Sequence, residues 1–116
     1  MRRLFWLIII VAFTSCNKPS TIEVQNDLPD ASLKNIYWGE VPIAYEILPS
    51  ETSGQVKIYE DAHYNLDFPE EFPLRFLLKI HGKEIQVQTV KIFILGKEDD
   101  LLITITDSTK VSEVIE

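Results

Sequence analysis

The chain has 116 residues, 46% of them apolar, with 11 basic and 18 acidic side chains and a net charge of −7. That is enough for one core and one domain, and the acidity argues against a nucleic-acid or anionic-lipid surface, both of which need clustered Lys and Arg. A lone cysteine, Cys16, excludes an internal disulfide, so any fold rests on its hydrophobic core.

Arg2 and Arg3 precede an apolar run over residues 4–13, and the small Ser15 lies just before Cys16. A basic start, a short apolar stretch and a small residue at the cut make a signal peptide. The run falls well short of the roughly 20 apolar residues that a spanning helix needs. Phe13-Thr14-Ser15-Cys16 resembles the lipobox of bacterial lipoproteins, with Phe13 where that family prefers Leu. The resemblance implies that residues 1–15 are removed and that Cys16, as the new N-terminus, carries a diacylglyceryl thioether and an amide-linked acyl chain. Each buried methylene contributes about 0.8 kcal/mol, so one chain holds marginally and two or three hold firmly. The alternatives are a plain secretory peptide and a membrane-spanning anchor. The first leaves a free thiol in an oxidising compartment, an unusual state. Asn17 is not the Asp that retains some lipoproteins at the inner membrane, so the resemblance implies the outer membrane of a bacterial cell envelope. Lys18 is followed by Pro19 and Ser20 instead of the acidic residues of a surface-export signal, which leaves surface display open. Cleavage removes two basic residues and no acidic one, so the mature chain is more acidic than the precursor.

Residues 16–20 then form a lipid-anchored tether and 21–116 the domain. Residues 21–26 alternate, with Ile22 and Val24 opposed to Glu23 and Gln25, as in a half-buried strand. Asn, Asp and Pro over 26–30 signal a turn. Residues 33–48 are β-prone but interrupted by Gly39 and Pro42, and alternation sets Ile43, Tyr45 and Ile47 on one side. A turn over 49–54 leads to a short strand marked by Val56 and Ile58. Residues 60–73 have the composition of a loop, in which Pro69 and Pro73 hold Phe68 and Phe72 extended. Next, Leu74, Phe76, Leu78 and Ile80 line one strand face and Arg75, Lys79 and His81 the other, with Gly82 in a hairpin turn.

Over 84–95 the pattern changes parity: Ile85 and Val87 are apolar at odd positions, Val90, Ile92 and Ile94 at even ones. The switch predicts a bulge or bend near Gln88 and Thr89, or a strand buried on both faces beyond them. After a charged turn at 96–100, Leu101, Ile103 and Ile105 mark the last clear strand, and 111–116 form a weak edge strand or a frayed end. No stretch of the mature chain keeps helical apolar spacing. The pattern predicts an all-β fold, an antiparallel β-sandwich of about six or seven strands. Ile36-Tyr37-Trp38-Gly39 and the turn over 48–54 resemble patterns in small Bacteroidetes-type lipoproteins with immunoglobulin- or transthyretin-like sandwiches. That resemblance implies such a sandwich and carries no site.

No Gly-rich phosphate loop, Gly-x-Ser-x-Gly, Cys-x-x-Cys or His-Glu-x-x-His occurs in the sequence. His63 lies near Glu60, Asp61 and Asp67, the neighbourhood of a carboxylate–histidine pair, whereas His81 sits at a hairpin tip, where backbone conformation explains it. Between Lys57 and Arg75 there is no basic residue, while Glu60, Asp61, Asp67, Glu70 and Glu71 all fall there. A solvated acidic loop explains this most simply. The sharper reading makes Asp61, Asp67, Glu70 and Glu71 a calcium site, since that cation takes several oxygen ligands in irregular geometry. Tyr37, Trp38, Tyr45, Tyr59 and Tyr64 serve either as core or as a stacking platform for a glycan or peptide. Of these, Tyr59 and Tyr64, flanking the loop with His63, are the expected exposed ligand contacts. The favoured function is a non-enzymatic, lipid-anchored envelope module that binds or scaffolds an envelope protein or a glycan, with no cofactor. The alternative is a small envelope enzyme or inhibitor that uses His63 and the acidic loop at 60–73.

Overall fold

In the computed structural model, which describes residues 19–60, 64 and 66–114, every regular element is a strand. These are β1 (Ser20–Asn26), β2 (Ala31–Trp38), β3 (Val41–Ile47), β4 (Val56–Ile58), β5 (Glu70–Ile80), β6 (Lys83–Leu95), β7 (Asp100–Ile105) and β8 (Val111–Glu113). They build two sheets, β4-β1-β7 and β3-β2-β5-β6-β8. The expected all-β sandwich is present, with eight strands where six or seven were anticipated. The added strand comes from residues 33–48, which fold back on themselves as β2 and β3 across Gly39 and Glu40. One pair also departs from the antiparallel expectation: β1 and β7 run parallel, from Thr21 opposite Asp100 to Asn26 opposite Ile105.

The alternation read from the sequence decides what is buried. Ile22, Val24, Ile58, Ile103 and Ile105 of the small sheet pack against Leu33, Ile36, Trp38, Leu74, Phe76, Val87 and Leu95 of the large one. Burial of such side chains contributes roughly 1.5–3 kcal/mol each, and it is this that holds the two layers together. Trp38 lies at the centre, edge-on to Phe72 at 5.1 Å, and its Nε1 donates to the Phe93 carbonyl at 3.1 Å. One indole thus links β2 to β6 over the intervening β5.

Asn26 and Thr89 are buried polar residues that extend apolar series, Asn26 after Ile22 and Val24, Thr89 after Ile85 and Val87. Each is satisfied, as burial demands. The Asn26 Nδ2 donates to the carbonyls of Ala31 (2.8 Å) and Ile47 (3.1 Å), while its Oδ1 accepts the Leu28 amide at 3.0 Å. The turn expected at 26–30 is therefore pinned to both β2 and β3. At the β5–β6 hairpin, His81 and Gly82 both take positive φ (51° and 78°), the pairing that a tight two-residue turn requires.

The bulge expected near Gln88 and Thr89 is there, but it does not do what the parity switch suggested. Pro73 pairs with Ile92 and Arg75 with Gln88, so four residues of β6 span what two span on β5. A single inserted residue would exchange the faces of the strand; two restore them. Val87, Thr89 and Leu95 therefore all point inward, and Val90, Ile92 and Ile94 remain 62%, 53% and 59% exposed. The strand is not buried on both faces.

Two further expectations are corrected. Residues 70–73 are strand instead of loop: Glu70, Glu71 and Phe72 pair with Leu95, Ile94 and Phe93. Pro73 is tolerated inside β5 because it stands at the register shift, where the regular ladder is already interrupted. Tyr45 does not share the burial of Ile43 and Ile47, being 72% exposed with Lys34 Nζ 6.0 Å from its ring centre. It lies on an edge strand whose register with β2 shifts at Ile36 and Tyr37, beside the positive φ of Asn35 (50°). At the margin of a sheet, an irregular register lets a side chain turn outward.

Candidate functional site

The residues singled out from the sequence do not converge. Cys16, Asp61 and His63 lie outside the described residues. Tyr59 is exposed, as expected of a ligand contact, but Tyr64 is half-buried against the core. Tyr37 and Tyr45 share a shallow cleft of about 240 Å³ with Pro42 on the large sheet, and Trp38 is wholly buried. The aromatics are thus divided between the core and the surface, and the cleft that Tyr37 and Tyr45 share includes neither Tyr59 nor Tyr64.

The acidic segment is similarly dispersed. Glu70 and Glu71 are successive residues of β5, and successive strand side chains point to opposite faces. Asp67 is exposed in the turn before them. Among the described residues, no three His, Cys, Asp or Glu side chains gather as a metal would require. Glu60 has a structural task instead. Its Oε2 accepts the Phe68 amide at 3.2 Å, and its Oε1 lies 3.8 Å from Lys97 Nζ. The counter-charge that the local sequence lacks is brought in from the turn between β6 and β7.

A concave surface lies where periodicity alone gave no signal, between the outer edges of β6 and β7. Among the described residues, β7 has a strand partner on one side only, β1. β8 pairs with β6 from Val87 to Thr89, with one further bond from the Val90 amide to the Lys110 carbonyl, and among the described residues no strand covers 91–95 on the side away from β5. Between these edges runs a groove of about 560 Å³ lined by Val90, Lys91, Phe93, Leu102, Thr104 and Lys110, among others. Ile92 and Ile94 stand beside it on the outer face.

Two features set this groove apart on an acidic protein. No carboxylate lines it, while Lys91 and Lys110 do, and neither lysine forms an ion pair with a described residue. Lys91 instead rests its ammonium 5.5 Å from the Phe93 ring centre. Leu102 and Val90 remain largely exposed beside these charges. The groove therefore presents aliphatic surface, positive charge and strand edges together. No protein-family model, no curated protein and no solved structure matches this chain.

Proposed function

We propose that this protein is a non-enzymatic binding module of the bacterial cell envelope, held at the membrane by lipid on Cys16. The lipobox-like Phe13-Thr14-Ser15-Cys16 supports the anchor, and the first strand begins at Ser20, so that a very short tether keeps the domain close to the lipid. The observation that carries the binding role is the outward apolar stripe of Val90, Ile92 and Ile94 beside the exposed Leu102. An exposed aliphatic row along one strand face is the kind of surface that partners cover. The outer membrane is the residence that the sequence after Cys16 favours.

Cys16→Ser tests the anchor. The substitution is expected to leave the precursor unprocessed and to abolish acylation, read by membrane fractionation and by mass spectrometry of the mature N-terminus. A mature protein that starts at a residue other than 16, or that carries no lipid, would overturn the anchored reading.

A further inference from the structure

We infer that the groove between β6 and β7 binds an extended peptide strand of a partner protein, one that carries aliphatic side chains and carboxylates, by adding it to the free edge of β6. The inference rests on the reading of this domain as a binding module and names its site and the chemistry of its partner.

The backbone supplies the first argument. β8 pairs antiparallel with β6 from Val87 to Thr89, and its line then breaks, because the chain before Val111 turns away through residues 106–109 towards β7. A guest strand continuing that line meets residues 91–95 of β6, about 17 Å of edge at 3.3–3.4 Å per residue. Main-chain hydrogen bonds to such an edge give affinity, and alternate side-chain pockets give selectivity.

Side chains supply the second. A strand laid there sends alternate residues towards Phe93 and Leu102 on the groove side and towards Ile92 and Ile94 on the outer side. Both directions reward aliphatic residues. Lys91 and Lys110 then decide the polar partner: with no carboxylate lining the groove, a guest bearing Glu or Asp neutralises them and a basic one is repelled. The same charges weigh against a second copy of this chain in the groove, since a two-fold pairing of β6 edges would set the lysines of both copies along one seam with no carboxylate from either groove lining.

The test uses the full-length protein, purified in detergent from whichever cell fraction holds it, and labelled synthetic peptides of about nine residues, a length that covers the free edge. One peptide alternates valine with glutamate, the second valine with lysine, and the third is the glutamate peptide N-methylated at alternate amides. Fluorescence anisotropy is expected to show binding of the glutamate peptide, with the lysine and N-methylated peptides at least roughly tenfold weaker. Lys91→Glu with Lys110→Glu should reverse the charge preference, and an unchanged circular dichroism spectrum and melting temperature would show that the variant still folds. Equal affinity for the two charge forms, full binding by the N-methylated peptide, or no binding at about 1 mM would each overturn the proposal. So would a dimer in sedimentation that Ile92→Lys dissolves, which would place a second copy in the site. Failure here leaves the Cys16 fractionation result standing, and failure of the anchor leaves the peptide result standing.

Discussion

Thr89 supplies the acceptor that the β6 bulge denies to Leu74: its Oγ1 takes the Leu74 amide at 2.9 Å and donates onward to the Lys91 carbonyl at 2.8 Å. The inserted residues open the ladder opposite Leu74, and one hydroxyl closes it. Thr89→Val is nearly the same size and removes that acceptor, leaving a buried amide unpaired. The expected loss is about 1–3 kcal/mol in denaturant unfolding, with Thr89→Ser recovering most of it. Equal stability of the Val variant and the native protein would show that the hydroxyl is not what holds the bulge.

Gly39 and Gly54 form a natural pair of probes. Both have positive φ, 62° and 73°, so alanine at either carries backbone strain of about 1 kcal/mol. At Gly39 an added Cβ would also lie 2.7 Å from Cγ of Phe72, whereas at Gly54 it meets open space. Gly39→Ala should therefore lower the melting temperature clearly more than Gly54→Ala. The difference between the two measures the packing of Phe72 on the β2–β3 turn and, behind it, on Trp38.

Asn26→Ala is expected to be among the most damaging single polar substitutions. It removes two donors and one acceptor from a fully buried site and strands the Ala31 and Ile47 carbonyls and the Leu28 amide. A loss of roughly 2–4 kcal/mol follows from the cost of unsatisfied buried groups. Hydrogen exchange at Leu28 should quicken more than exchange at β5 amides far from the turn.

Lys34 and Glu84 meet over β5 at 3.1 Å. The hydrogen bond to the Glu84 carboxylate, and then its charge, raise the Lys34 pKa above the ordinary 10.5. A raised lysine pKa contributes stability that is complete below the unfolded value and is lost as pH climbs through the folded one. The contribution should therefore be constant at neutral pH and vanish only in strong alkali. NMR titration is expected to place Lys34 above the ordinary lysine value, and Glu84→Gln should return it towards that value. Because the pair is near solvent, that variant should change neutral-pH stability little.

Much of this architecture was legible in the sequence. Ile22 and Val24, or Leu74 and Phe76, alternate strictly enough to name the inward face, and His81 with Gly82 announces a tight turn. The parity change between Val87 and Val90 likewise announced a bulge. Its size was not legible, because whether one residue or two are inserted depends on pairing with β5, where Pro73 tolerates the interruption. That single ambiguity decides whether Val90, Ile92 and Ile94 belong to the core or to the surface, and so it hid the groove. The acidic segment misled for a related reason. Pro73 and adjacent glutamates have the composition of a loop, yet one edge of the hairpin accommodates them as strand. Glu60 found its counter-ion in Lys97, a contact that no local window contains.

The parallel pairing of β1 with β7 has a temporal side. β1 is the first strand of the domain to be synthesised, yet Thr21 bonds Asp100 across 79 positions of sequence. Its other neighbour, β4, offers only the pairs from Ser20 to Ile22. The second half of β1 finds earlier partners in residues 50–53, where Ser50 and Glu51 bond Asn26 and Ser53 bonds Val24. Its parallel ladder, however, waits until almost the whole chain has emerged, and loop closure over such a distance is slow. A nascent chain ending before residue 100 can pair Ile22 with Val56 but leaves the β7 side of Ile22 and Val24 open. That is the interval in which a holding chaperone would have most to do.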